Sequence, residues 1–344
     1  MSQNANVNRR IVLASRPYGA PTADNFRLEQ QSIPLPGSGE LLLRTECLSI
    51  DPYVRGRMSD SPSYVPPLEV GDVICAGTVS IVERSNNPEF KEGERVLAAA
   101  GWQDYFLSNG EGLLKLDDAF PQPSYALGIL GMPGFTAYMG LLDIGQPKEN
   151  ETLVVAAASG PVGATVGQIA KLKGCRVIGI AGGEEKCRHV VETLGFDACL
   201  DHRQPDLAQR LAFACPEGID IYYENVGGKV FDAVLPLLNA RARIPVCGMI
   251  SQYNATALPP GPDRLNLLES IILKKRIRMQ GFIITLDYPH RYGEFIQQMK
   301  QWVSEGKIKY QEQKVKGLEN APAAFIDMLE GKNFGKVVVQ INNE

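Results

Sequence analysis

Two patterns of hydrophobic and polar positions divide the chain. From Ile33 to about Leu116, short β-rich runs alternate with turn residues. Glu40 to Ser49 follows Pro36-Gly37-Ser38-Gly39, Gly77 to Val82 comes next, and Arg95 to Ala98 follows Lys91-Glu92-Gly93-Glu94. Within Thr78-Val79-Ser80-Ile81 polar and apolar side chains alternate, which turns one strand face to a core and the other to water. Short strands at this spacing predict a barrel or a sandwich.

From about Glu151 the rhythm becomes strand then helix, repeated. The apolar run Thr152 to Ala157 leads into Ser159-Gly160-Pro161-Val162-Gly163 and a helical pattern with Val162, Val166, Ile169 and Leu172 on one side. Pro161 suits the first helical turn, where a missing N–H costs nothing, and Gly174 suits a left-handed stop. Arg176 to Ala181 reads as the next strand and Glu184 to Leu194 as the next helix, ended by Gly195. Ile219 to Tyr223 and Ile244 to Cys247 read as further buried strands. This alternation predicts an α/β region, a parallel sheet with helices on both faces. From Gly306 the pattern returns to β-like segments and closes with Lys336 to Gln340, a strand expected to rejoin the first domain.

Composition narrows the function classes. With 344 residues, 44% of them hydrophobic, the chain can bury a core in each of two domains. Thirty-five Lys and Arg against 39 Asp and Glu give a net charge of −4, without the basic excess of a nucleic-acid binder. No uncharged apolar stretch reaches the roughly 18 residues of a membrane span, and Arg9-Arg10 are not followed by the apolar h-region of a secretory signal. The expectation is a cytoplasmic protein without membrane or nucleic-acid partners. Seven scattered cysteines without a Cys-x-x-Cys pair read as reduced thiols. The 3 histidines form no Cys/His cluster, so no metal is expected, and Cys47 reads as a core thiol. Neither a Gly-x-Ser-x-Gly elbow nor a P-loop is present to support hydrolysis or phosphotransfer.

The most informative segment is Ala158-Ser159-Gly160-Pro161-Val162-Gly163, an Ala-x-Gly-x-x-Gly version of the dinucleotide fingerprint. Gly160 would let backbone approach a pyrophosphate, Gly163 would let helix pack on strand, and Ala158 replaces the first glycine. The following strand ends in Ala181-Gly182-Gly183, lacking the carboxylate that holds a ribose 2′-OH in NAD enzymes. Lys186 nearby could meet a 2′-phosphate, which favours NADPH; alternatively Lys186 is a solvated helix residue and Glu184 or Glu185 merely caps the helix. Tyr53 and Tyr253 are phenols able to hydrogen-bond an oxygen that gains charge, or else amphipathic core residues with satisfied hydroxyls.

Five segments together resemble one family: Asp51-Pro52-Tyr53-Val54-Arg55-Gly56-Arg57-Met58, Gly131-Met132-Pro133-Gly134-Phe135-Thr136-Ala137-Tyr138, Ala157 to Gly163, Glu224-Asn225-Val226-Gly227-Gly228 and Gly331-Lys332-Asn333-Phe334-Gly335-Lys336. The chain resembles the zinc-free medium-chain reductases of the leukotriene B4 12-hydroxydehydrogenase/prostaglandin reductase branch. The resemblance implies a GroES-like β-barrel domain (1–127 with 306–344), a Rossmann doubly wound domain (128–305), cofactor and substrate between them, and a homodimer. It implies cofactor contacts at Gly160, Val162 and Gly163 for the pyrophosphate and Lys186 for the 2′-phosphate. Asn225, Cys247, Gly248, Met249, Ile250, Ser251, Phe282, Ile283, Ile284 and Asn333 would surround the rest. Where mammalian members carry a tyrosine near the adenosine phosphate, this chain has His202. Tyr53 and Tyr253 match pocket tyrosines, and Tyr64 would border the substrate. The implied reaction is NADPH-dependent reduction of a carbon–carbon double bond conjugated to a carbonyl, as in curcumin-type enones. Quinone or carbonyl reduction, and NADPH binding without turnover, are the alternatives.

Overall fold

The computed structural model describes residues 7–117, 120, 122–258, 261, 263–341, so residues 1–6 of the amino-terminal segment lie outside the described residues. The chain divides into two units, Met1–Gly128 with Glu312–Glu344, and Ile129–Gln311.

In the first unit β1 (Val7–Leu13) pairs antiparallel with β2 (Phe26–Ser32). Then come β3 (Leu41–Ser49), the short helix α1 (Tyr53–Arg57), β4 (Thr78–Ser85), β5 (Arg95–Ala98), β6 (Tyr105–Ser108) and β7 (Leu114–Lys115).

The second unit opens with α2 (Met132–Met139) and a π-helical turn, Gly140–Gly145. It continues β8 (Thr152–Ala156), α3 (Pro161–Leu172), β9 (Arg176–Ala181), α4 (Glu184–Glu192), β10 (Ala198–Asp201), α5 (Leu207–Ala214), β11 (Ile219–Tyr223), α6 (Gly228–Val234) and β12 (Leu238–Val246). α7 (Leu265–Lys275), β13 (Arg278–Gly281), α8 (Ile284–Asp287) and α9 (Tyr292–Ser304) complete it. The chain then returns to the first unit with β14 (Glu312–Lys316), α10 (Ala321–Leu329) and β15 (Lys336–Gln340).

The second unit's six strands are parallel in the order β10-β9-β8-β11-β12-β13. Counted from β8, this is the doubly wound order 3-2-1-4-5-6, with its switch point between β8 and β11. Every residue of β8 is buried, the mark of a strand covered on both faces. In the first unit a seven-stranded mixed sheet runs β14-β15-β3-β4-β5-β7, with β6 also on β3. Leu41–Arg44 of β3 pairs with β6 and Cys47–Ser49 with β15, so one edge of β3 serves two partners. Trp102, fully buried, stacks on Phe26 at 5.7 Å and meets Phe325 edge-on at 5.9 Å.

Three expectations need correction. Leu172 is exposed rather than on the buried side of α3: it is the helix's last residue, and the buried positions of α3 end at Ala170. β12 begins at Leu238, ahead of the apolar run read from the sequence, because its polar residues find partners in the fold. Arg243 donates to the Gly145 carbonyl and pairs with Glu151 at 2.5 Å, and Asn239 donates to Asp220 at 2.9 Å. The return to the first unit falls at Glu312 rather than Gly306, since residues 306–311 stay with the second. Gln168 holds them there, donating to the Lys309 carbonyl and accepting the Lys309 N–H.

Candidate active site

In the second unit, β8 ends at Ala156 and Ala157 turns left-handed (φ 52). The conformation that a first glycine would ease therefore falls on Ala157, one residue before Ala158. Gly160 caps α3 and Pro161 takes its first position, as the sequence pattern predicts. A Cβ on Gly163 would lie 2.3 Å from the Ala157 carbonyl oxygen, so only glycine lets this helix start so close to the strand. Gly160 differs: its Cβ would find only that same oxygen, at 3.3 Å. The protein's own packing barely requires glycine there, whereas a ligand on the open side would. The first α-helical bond runs from Ala164 N–H to Gly160 carbonyl, leaving the N–H groups of Val162 and Gly163 ahead of the ladder as donors for an anion.

At the end of β9, Gly182 and Gly183 turn the chain into α4. Asp201, at the end of β10, accepts the N–H groups of Gly183 and Arg203, each at 2.9 Å. Burial alone would raise the Asp201 carboxyl, but these bonds and the charges of His202 and Arg203 bring it below its ordinary value. A Cβ on Gly182 would come within 2.9 Å of His202 Nε2 and 3.1 Å of Arg203 Nε. Burial lowers the Lys186 ammonium, and the Arg203 guanidinium lowers it further. Burial likewise lowers His202, with Arg203 and Lys186 adding and Asp201 opposing. Three basic groups thus crowd one glycine turn at mutual electrostatic cost, an arrangement that a phosphate would relieve. Arg203 escaped the sequence reading, although it directly follows His202.

The switch point is built from the next two strand ends. Asn225 Nδ2 donates to the Ala156 carbonyl at 2.9 Å, tying β11's end to that of β8. Glu224 stands in one of the five family segments, but the sequence pattern assigns it no role of its own. It is buried, and its Oε1 accepts the Tyr222 hydroxyl and the N–H groups of Val226 and Gly227 at 2.7–2.9 Å. Burial raises its carboxyl against the pull of those bonds. This carboxylate shapes the turn into Gly227 and Gly228, both at positive φ. The segment after β12 is laced to the same turn. Cys247 and Gly248 N–H groups donate to the Glu224 carbonyl, Ile250 N–H to Asn225, and Ser251 N–H to Val226. Ser251 Oγ donates to Val226 as well, at 2.5 Å.

Tyr253 is half-buried, and its hydroxyl accepts the Met249 N–H at 3.4 Å. A Cβ on Gly248 would stand 2.8 Å from that hydroxyl, so glycine makes room for the phenol. The Cys247 thiol lies against the Tyr223 hydroxyl, and burial pushes it up to about 12. Phe282 and Ile284 are buried, Phe282 edge-on to Tyr288 at 6.1 Å, so this segment offers a ligand its backbone and the half-buried Ile283.

In the first unit, Lys336 is 1% exposed and pairs with Asp51 at 2.8 Å while donating to the Ile50 carbonyl at 2.7 Å. Ser49 Oγ donates to the other Asp51 oxygen. This buried knot fixes the residues from which α1 and Tyr53 spring. Tyr53 is half-buried and hydrogen-bonded to the Cys75 thiol. Burial, then Asp51 and Cys75, push its phenol well above the ordinary value, which keeps it protonated as a donor. Tyr64 lies close enough to add to that shift and is 49% exposed. Asn333 Nδ2 donates to the Gly335 carbonyl at 3.0 Å, bracing the turn before β15. Cys47 is buried, its thiol pushed up to about 12 by burial first and Glu46 second.

Comparison with known proteins follows the same division. Residues 9–116 match the family described as N-terminal domain of oxidoreductase, and residues 161–301 match that described as zinc-binding dehydrogenase. Among the described residues no three His, Cys, Asp or Glu side chains gather to hold a metal, so the zinc of that description does not fit this chain. The NADPH-dependent curcumin reductase of Escherichia coli (strain K12) is 67% identical over 99% of each chain. Prostaglandin reductase 1 of Rattus norvegicus is 42% identical, covering 94% of this chain and 95% of its own. The crystal structure of CurA in complex with NADPH from Vibrio vulnificus superposes with a TM-score of 0.95 at 66% identity, covering 98% of this chain and 100% of that one. On this sequence identity, and with the doubly wound sheet and mixed-sheet unit both in place, the chain belongs to the medium-chain dehydrogenase/reductase family, in the zinc-free branch of the prostaglandin and curcumin reductases.

Proposed function

We propose that this chain is an NADPH-dependent reductase of the carbon–carbon double bond in α,β-unsaturated ketones and aldehydes, curcumin-type enones among them. The observation that carries this reading is the basic cluster in which His202 and Arg203 stand against Gly182 and both interact with Lys186, in a chain 67% identical to a curcumin reductase that uses NADPH. These three residues would hold the 2′-phosphate. Gly160 and the N–H groups of Val162 and Gly163 would hold the pyrophosphate. Asn225, the Cys247 to Ser251 backbone and the 282–284 segment of the second unit would hold the remainder, and Asn333 is the candidate contact that the first unit carries.

Bound NADPH supplies hydride, which adds to the β-carbon of the enone. The carbonyl oxygen then gains charge as an enolate and needs a hydrogen-bond donor at the position where that charge develops. Tyr253 is that donor, its phenol placed by the Met249 N–H and by the space at Gly248. Tyr53, kept protonated by its surroundings, positions the substrate, and Tyr64 borders it. Turnover of an enone panel with NADPH and NADH, products weighed by mass spectrometry, tests the reading. The saturated ketone with a preference for NADPH is expected; an alcohol or a hydroquinone instead would refute it.

We further infer a cytoplasmic homodimer. All seven cysteines are free thiols, which suits a reducing compartment. β13 ends the parallel sheet, and α7, which packs Leu268, Ile271 and Ile272 on the core, leaves Leu265, Leu267 and Leu273 at least half exposed. A second copy of this chain would cover both, and light scattering would show the dimer mass.

A further inference from the structure

Two of the cysteines lie side by side at the adenosine-phosphate end of the second unit. Cys187 stands in α4 directly after Lys186, and its N–H donates to the Gly183 carbonyl. Cys199 belongs to β10, in register with Gly179 of β9. A Cβ on Gly179 would meet Val190 of α4 at 3.0 Å, so α4 covers this face of the sheet. Cys199 and Asp201 share one face of β10 by strand alternation, and Asp201 reaches Gly183 at the start of α4. The two sulfurs meet there: the thiols hydrogen-bond each other, and both are half-buried. The other five differ. Cys47, Cys175 and Cys215 are buried, while Cys75 and Cys247 are bonded to tyrosine hydroxyls.

We propose that Cys187 and Cys199 form a reversible disulfide, a redox modification site that weakens NADPH binding when it closes. The effect on binding rests on the reading of Lys186, His202 and Arg203 as the 2′-phosphate holder. The oxidant is a hydroperoxide, with hydrogen peroxide as the simplest. Cys187 is the attacking sulfur, because the hydrogen bond from Cys199 lowers its thiol against the opposing effect of burial, whereas Cys199 is raised. The Cys187 thiolate attacks one peroxide oxygen, the O–O bond breaks, and the departing hydroxide takes up the thiol's proton as water. Cys199 then attacks the sulfenic sulfur; the S–S bond forms, the S–O bond breaks, and hydroxide leaves with the Cys199 proton as a second water. Two thiols are oxidised and one peroxide is reduced to two waters.

Closing the bond moves the turn. A disulfide holds its sulfurs about 2 Å apart, well inside hydrogen-bonding distance, so α4's first turn must draw toward β10. Lys186 precedes one cysteine, and Asp201, His202 and Arg203 follow the other. The displacement therefore falls on the groups that crowd Gly182.

The test treats the full chain with hydrogen peroxide, maps its peptides, and measures KM for NADPH and NADH. Expected is a mass loss of two hydrogens, a linked Cys187–Cys199 peptide, and KM for NADPH raised roughly tenfold with NADH little changed. Dithiothreitol should reverse these changes, and Cys199→Ser should prevent them. Oxygen addition to Cys187 without the linked peptide, or a linked peptide with unchanged KM for NADPH, would overturn the proposal. Lys186→Ala separates the two readings. If that variant keeps the preference for NADPH, the phosphate-site reading fails, while the peptide map still reports whether the disulfide forms.

Discussion

At the scale of single residues, Tyr253 and the basic cluster of Lys186, His202 and Arg203 are the side chains whose loss should be felt most in catalysis and cofactor choice. Tyr253→Phe removes the hydroxyl proposed to meet the developing enolate, which should cost about 3 kcal/mol of transition-state stabilisation, or roughly a hundredfold in kcat. KM for NADPH should stay within twofold on the same steady-state assay, since the phenol is assigned to substrate oxygen rather than cofactor. His202 gives a pH signature. Burial, Arg203 and Lys186 hold its imidazole below the ordinary value, and a phosphate placed beside it would raise it again. NADPH binding then takes up a proton. The gain is full below the free-state value and is lost as pH rises through the bound-state value. The preference for NADPH over NADH should therefore strengthen from about pH 8 to about pH 6, and His202→Gln should flatten that slope. The places of Gly160 and Gly163 at the start of α3, and of Lys186 in α4, were legible in the sequence because a short motif and its spacing fix them. Glu224 and Arg203 were not, because one acts through three hydrogen bonds to its own turn and the other through space across two strand ends.

At the scale of elements, the strand-to-helix turn from β8 to α3 separates folding from binding. Gly163→Ala drives a methyl into the Ala157 carbonyl and should cost about 1–3 kcal/mol in urea unfolding, whatever the cofactor. Gly160→Ala should unfold at nearly the wild-type midpoint yet raise KM for NADPH, because the methyl would enter the space proposed for the pyrophosphate. Equal loss of stability in both variants would contradict this division. Local punctuation read well at this scale: Gly174 and Gly195 end their helices at φ 80 and φ 76, as their positions predict. Periodicity read less well where burial depends on distant partners. Leu172 continues the apolar stripe of α3 yet faces water, and Arg243 precedes the apolar run Ile244 to Cys247 yet belongs to β12, paired with β13 in register and with Glu151 by charge. Neither outcome is written in the local pattern, because each depends on what packs beside the element.

At the scale of the whole molecule, the first unit is assembled from the two ends of the chain, and the buried Lys336–Asp51 pair joins them beside α1, next to the β15–β3 ladder. Lys336→Met leaves Asp51 buried without its cation and should destabilise this unit by about 3–5 kcal/mol, read as a lower urea midpoint. Adding Asp51→Leu should recover much of that loss, since an apolar pair needs no counter-charge. The sequence pattern separated a β-rich part from an alternating one and led Lys336 to Gln340 back to the first, where β15 pairs with β3. It could not reveal the ion pair, which links residues 285 positions apart.

The central claim is that hydride reaches the β-carbon of a conjugated double bond. Turnover of an enone with NADPH deuterated at the transferring position, followed by NMR of the product, tests it most directly. The account predicts a saturated ketone with deuterium on the carbon β to the carbonyl. Deuterium on the carbinol carbon of an unsaturated alcohol would show attack at the carbonyl and contradict it.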